Sequence, residues 1–209
     1  WMISRLDPAE PGSLRLAAKG GHNDEMHNQN DVGSFMVVSG GKVVLIDPGR
    51  GRYSKAYFGP ERYGNLMASS RGHSVPVVNG HEQAAGRDHA ARVLHHSHDA
   101  SGDRLELEMA AAYPATAGLK SLRRSLSLDR ATPRGRVLLE DRFAFAGSAG
   151  QLQSVLVTPL VVSAGEGRIA IGGAGGGVIV DYDADALDVS LDRHERVEKQ
   201  YQPAIDLTR

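Results

Sequence analysis

Residues 34–46, SFMVVSGGKVVLI, decide the fold class. Two short apolar runs flank Gly40-Gly41, and glycine adopts without steric cost the positive φ angles that a two-residue hairpin needs at both central positions. The same pattern continues downstream. Leu105-Glu106-Leu107-Glu108-Met109 alternates with period two, as do residues 122–128, and residues 137–145 place Val137, Leu139, Phe143 and Phe145 on one face. Turn-forming stretches at 99–103 and 131–135 separate these runs. Further strands are predicted at 155–163, 168–171 and 178–182. Many short strands at this spacing predict an all-β chain, a large antiparallel β-sandwich of stacked sheets with little helix. Residues 61–69 are the best candidate for a short helix, and the charged stretch 192–202 reads as a partly ordered tail or linker.

Composition narrows the function. With 209 residues, 41% of them hydrophobic, the chain can bury one sizeable core, and a single domain over residues 1–209 is expected. It has no cysteine, which excludes disulfides, thiolate metal sites and thiol catalysis. A net charge of -1 argues against a nucleic-acid partner, since such proteins neutralise phosphates with excess Lys and Arg. Arg123-Arg124 is basic but sits among acids. No apolar run reaches the length of a membrane-spanning helix, so no membrane partner is expected. The chain opens on Trp1 in what already reads as the approach to a strand, and the expectation is a fragment whose natural protein continues upstream.

Three segments could carry chemistry. GHNDEMHNQNDVGSF, residues 21–35, packs two histidines, four Asn or Gln and three acids into its first eleven residues, directly before an apolar strand. Such side chains must line a surface or cleft, or be fully hydrogen-bonded; a solvated loop of Asx-turns is the competing reading. Leu45-Ile46-Asp47-Pro48-Gly49 puts an acid at a strand end, and RGHSVPVVNG, residues 71–80, puts His73 at the start of another. Histidine and aspartate brought from separate strands are suitable ligands for zinc. Other segments are decoys. His95, His96 and His98 on one strand would point to both faces, and the glycine run at 172–177 lacks the spacing of a nucleotide loop and leads into a strand, so it reads as a hairpin loop. Ser125, Ser127 and Asp129 have no nucleophile-elbow context, and Trp1 reads as an interface residue.

GGHNDEMHNQNDVGSF followed by VVLIDPGRGRYS, FGPERY and GHSVPVVNGHEQ resembles the opening half of the C-terminal β-sandwich domain of heparinase II/III-type polysaccharide lyases. The resemblance covers about the first 90 residues strongly and the later strands only in kind. It implies a sandwich that joins a helical toroid, with uronate-containing anionic polysaccharide cleaved by β-elimination in the cleft between them. That reading accounts for the upstream domain being absent. It also implies His27 as a cleft residue and Gln29, Asp47 and His73 as the metal positions. The family pattern has histidine where Gln29 stands. A neutral amide is a poorer zinc donor than imidazole, which leaves the site empty, weak or completed by His27.

Removing the proton beside a uronate carboxylate builds up enolate-like charge, so donors or cations are needed on that carboxylate besides a base and an acid. The resemblance assigns His27 as acid/base, Arg62 as an anion ligand with Asn23 and Asn30 as further substrate contacts, and Tyr63 as the phenol that protonates the leaving oxygen, with Tyr53 and Tyr57 close enough to compete. A constellation divided between two domains does not work in halves, so this chain alone is expected to be inactive. The alternative is a non-catalytic carbohydrate-binding or oligomerising sandwich, which Gln29 favours. The resemblance favours a periplasmic or secreted protein, and a homodimer through the surface meant for the missing domain is one expected assembly. The glycan is left open.

Overall fold

The computed structural model describes residues 1–6, 13–173, 176–200 and 202–209. Among these residues the chain runs through β1 (Met2–Arg5), β2 (Leu14–Ala18), β3 (His22–Asn23), β4 (Phe35–Ser39), β5 (Lys42–Leu45), β6 (Val77–Val78), β7 (Gly86–Ala90), β8 (Arg92–His98) and β9 (Gly102–Glu108). It continues through β10 (Leu119–Asp129), β11 (Arg136–Phe145), β12 (Leu152–Gln153), β13 (Val162–Gly165), β14 (Arg168–Gly173), β15 (Gly176–Asp181), β16 (Arg193–Lys199) and β17 (Gln202–Thr208). One sheet has the order β1-β2-β4-β5, a second β11-β10-β9-β8 and a third β13-β14-β15, with β3-β7, β6-β12 and β16-β17 as separate two-stranded sheets. The ladders are antiparallel throughout. This is the expected all-β sandwich.

Alternation places the core. Leu16, Ala18, Phe35, Val37 and Val44 from the first sheet pack with Leu105, Leu107, Leu122, Leu126 and Leu128 from the second in one buried cluster. Each fully buried leucine there contributes on the order of 1.5–3 kcal/mol. The β4–β5 turn has φ 59° at Gly40 and 77° at Gly41, the conformation for which the Gly-Gly pair was read. On β11, Val137, Leu139 and Phe145 pack against the core. Phe143 is 46% exposed, its ring edge-on to Phe145 at 5.7 Å.

Several expectations need correction. Residues 61–69 hold only a three-residue 3-10 helix, Arg62–Gly64, and a second follows just beyond at Ser70–Gly72. Asn65 Oδ1 accepts from the Met67 amide at 2.9 Å, a local turn that competes with helical bonding. Residues 155–163 are not one strand. Thr158 makes an isolated bridge to Thr208, and the ladder begins only at Val162. The predicted tail at 192–202 is largely β16, paired with β17, which docks through that bridge and buries Leu207. The glycine run joins β14 and β15 as a hairpin, as expected, but its described glycines are themselves strand, with Gly172↔Gly177 and Gly173↔Gly176 in register; residues 174 and 175 lie outside the described residues. Its glycines permit close packing, because a Cβ on Gly176 would lie 3.0 Å from Lys42 Cδ and 3.1 Å from the Ser39 carbonyl oxygen. His95, His96 and His98 are exposed on β8, and no helix of the described residues is long and apolar enough to cross a membrane.

Candidate functional site

The polar loop between β3 and β4 is ordered by buried amides. Gln83 stands beside Val32 as a strand would: Nε2 donates to the Val32 carbonyl at 2.6 Å and Oε1 accepts the Val32 amide at 3.0 Å. The same Oε1 accepts from Asn23 Nδ2 at 3.1 Å, and Asn23 also donates to the Ala84 carbonyl at 2.9 Å. Asn30 Nδ2 donates to the Gln83 carbonyl at 3.1 Å, while Asn30 Oδ1 accepts from Asn28 Nδ2 at 3.1 Å. Ser70 Oγ donates to the Asn30 carbonyl at 2.7 Å. Asn23 and Asn30 are therefore buried and bonded to protein. Such a network, formed almost entirely of satisfied groups, makes a polar loop rigid; Asn23 Oδ1 alone among these amide atoms has no partner.

One rim of this loop is aromatic and cationic. The chain turns at His27 with φ 59°, leaving its imidazole exposed and stacked on Tyr53, with ring centroids 5.8 Å apart and planes 8° apart. Tyr53 Oη lies 3.4 Å from His27 Nδ1 and accepts from Arg50 at 3.3 Å. Phe58 meets both rings edge-on. The Arg62 guanidinium lies 5.1 Å from the Tyr57 ring centroid, 5.6 Å from Phe58 and 5.8 Å from Tyr63. Its hydrogen bonds go to the Asn28 and Tyr57 carbonyls rather than to a carboxylate, and its Nε is buried without a partner. Tyr63 Oη accepts from Asn28 Nδ2 at 3.3 Å. An open groove of about 530 Å³ borders this rim, lined by Ser54, Tyr57, Glu61 and Asn65.

Beneath the loop lies a cluster of Asp31, Asp47 and His73, whose donor atoms all fall within 4.8 Å of one another. Asp47 Oδ1 caps the turn after β5 by accepting the Gly49 amide at 2.7 Å, and Oδ2 faces His73 Nδ1 at 3.5 Å, long for a hydrogen bond. His73 is fully buried. Its Nε2 lies 3.2 Å from the Met67 carbonyl, an acceptor only, so in the neutral ring the proton sits on Nε2 and the lone pair on Nδ1. That nitrogen has no hydrogen-bond partner. Asp31 is buried and paired with Lys19. Burial pushes the Asp31 carboxyl above its usual range, despite His73 and Lys19. Burial also opposes ionisation of Asp47 and His73, but their mutual attraction outweighs it, holding Asp47 low and His73 high.

Two carboxylates and an imidazole whose outer nitrogen is tied to a backbone carbonyl fit a divalent cation, zinc among them. Of the residues predicted as metal positions, Asp47 and His73 come together. The Gln29 amide donates to the Gly49 carbonyl at 2.6 Å, and the acid completing the cluster is Asp31. Its signal was its place in the same polar segment, two residues beyond Gln29. His27 stands with Tyr53 in the aromatic rim.

The chain is thus an antiparallel β-sandwich domain carrying an Asn-rich loop over an Asp-Asp-His cluster. The chain matches the heparinase II/III-like C-terminal family over residues 9–200 and belongs to that family. Its fold is similar to a heparinase III-BT4657 gene product with methylated lysines, at TM-score 0.75 and 12% identity over 99% of this chain and 31% of that one. It is similar also to the heparan sulfate lyase HepC from Pedobacter heparinus, at TM-score 0.69 and 17% identity over 99% of this chain and 33% of that one. A further structure, of heparinase III, gives TM-score 0.66 and 14% identity, covering 99% and 32%. The chain thus spans about a third of the length of these relatives. No curated protein matches it.

Proposed function

We propose that this chain is the β-sandwich wall of a lyase cleft that binds an anionic, uronate-containing glycan for cleavage by β-elimination, and that it is inactive alone. The observation that carries the reading is the half-buried Arg62, which is bonded to carbonyls and to no carboxylate and sits among Tyr57, Phe58 and Tyr63 beside the His27–Tyr53 stack. A guanidinium without a bonded carboxylate is suited to an anion from outside, and aromatic rings beside it suit the apolar faces of sugars. In this reading His27 and Tyr63, with Tyr53, are the groups that hold or move protons, and Asn23 and Asn30 serve by keeping the loop rigid. Asp31, Asp47 and His73 would hold a divalent cation that cross-links the loops and supplies fixed positive charge beneath the cleft.

The test is calorimetric titration with uronate oligosaccharides of heparan and alginate type, alongside an ultraviolet assay for unsaturated uronate product. Weak binding that is lost in Arg62→Ala, with no turnover, is expected. Binding unchanged in Arg62→Ala would overturn the assignment, and turnover by this chain alone would overturn the divided-site reading. Binding that survives while addition of the upstream region restores no activity would favour a non-catalytic carbohydrate module, the reading for which Gln29 speaks.

A further inference from the structure

Arg124 is completely buried in the middle of β10, on the face that carries Leu122, Leu126 and Leu128. It pairs directly across the ladder with Asp141 of β11, Nε and one terminal nitrogen donating to the two carboxylate oxygens at 2.8 and 2.7 Å. The other terminal nitrogen donates at 3.0 Å to the Gly33 carbonyl and at 2.8 Å to the Ser74 carbonyl. Gly33 lies two residues after Asp31, and Ser74 follows His73. The guanidinium also lies 5.8 Å from the Phe35 ring centroid.

We propose that Arg124 is the positioning residue of the Asp31–Asp47–His73 group, setting the spacing between the backbone that carries Asp31 and the backbone that carries His73. This rests on the cation reading above. Asp141 takes only two of the guanidinium's five N–H donors, so the buried arginine must find further acceptors. Here one terminal nitrogen is devoted to two carbonyls from separate loops, each next to or near a ligand. The third ligand is tied into the same frame: the Val157 amide donates to Ser74 Oγ at 3.0 Å, and the Val157 carbonyl accepts the Ile46 amide at 2.9 Å, one residue before Asp47. Arg124 thus connects the Asp31 and His73 loops, and Val157 connects the His73 and Asp47 loops. A planar fork satisfies a carboxylate and two carbonyls together, which an ammonium group cannot do with the same geometry.

The experiment uses the purified chain stripped of metal, titrated with Zn²⁺ and separately with Mn²⁺ by calorimetry. Arg124→Met combined with Asp141→Leu removes both charges, because deleting the arginine alone strands a buried carboxylate. Arg124→Lys is the second variant, should the double variant not fold. Expected are unchanged near-ultraviolet circular dichroism and an affinity about tenfold or more below that of the parent chain, the range for losing a group that orients a metal ligand. Lysine should fall between. Parent affinity in a folded variant would overturn the proposal. His73 imidazole nitrogen shifts in metal-free protein provide a readout that needs no cation. The parent is expected to show one sharp set of His73 ring signals, from a ring fixed by Nε2–H on the Met67 carbonyl, and the variants broadened or multiple sets. If the parent chain binds neither ion, the cation reading fails, and the proposal then stands or falls on those shifts: unchanged His73 signals in the folded variants would overturn it.

Discussion

At Gly33 the backbone turns with φ 84° between Asp31 and β4, and a Cβ placed there would lie 2.2 Å from Met109 Sδ. Gly33→Ala therefore meets a backbone penalty of about 1–2 kcal/mol and an overpacking penalty of about 1–3 kcal/mol. The expected loss of about 2–5 kcal/mol would be read as a lower urea midpoint with an unchanged slope. At the cation group the two candidate third donors can be separated. Gln29→Ala is expected to leave the thermal stabilisation produced by added zinc unchanged, whereas Asp31→Ala, Asp47→Ala and His73→Ala each abolish it. Differential scanning fluorimetry with and without zinc checks this, and the opposite pattern at positions 29 and 31 would return Gln29 to the ligand set. Asp31 and Gln29 stand two residues apart in one polar segment, so position along the chain alone does not choose between them. The choice follows from the fold, which directs the Gln29 amide to Gly49 and brings Asp31 beside His73.

Between elements, Asp103 of β9 is the junction of the two main sheets. Its buried carboxylate accepts from Ser4 on β1, His98 on β8 and Arg130 after β10. Burial works against the charged form, yet these three donors outweigh it and hold the carboxyl below its usual range. A carboxyl lowered on folding contributes stability that is fully present above its unfolded value, near 4, and is lost as pH falls through the folded value. Asp103→Asn should therefore destabilise the chain at neutral pH by about 1.5–3 kcal/mol, the range for hydrogen bonds to a charged group, and by progressively less in acid. Unfolding series at pH 7 and pH 3 check the convergence. The β16–β17 hairpin also acts at this scale. Gln200 in its turn accepts the Tyr53 amide at 2.6 Å and donates to the Arg50 carbonyl at 3.1 Å. Removing residues 192–209 should raise amide exchange at 50–53 more than in β9 or β10, as measured by mass spectrometry. The charge density of 192–202 read as solvated because the partner that makes it a strand lies in the next few residues, and the dock at Thr158 is far away in sequence.

For the whole molecule, the chain spans about a third of the length of its structural relatives, and a cleft reading requires a second wall. The expected result is no uronate elimination by this chain alone on any of the glycans named above. Alternation, hairpin glycines and turn chemistry are local, so the sequence by itself determined the all-β class, the β4–β5 hairpin and the inward leucines of β9 and β10. The polar segment before β4 was legible as a place of unusual chemistry for the same reason: so many amides and acids together require partners. Which partners they took was decided only by the tertiary structure. Gln83 reaches Val32 and Asn23 across more than fifty residues, and Arg124 reaches Gly33, Ser74 and Asp141 from one point in the core. Arg123-Arg124 read only as a basic pair among acids; Arg124 lies on the inward face with Leu122, Leu126 and Leu128, where burying a charge is favourable only with satisfying groups around it, and those groups are assembled by the stacking of the sheets.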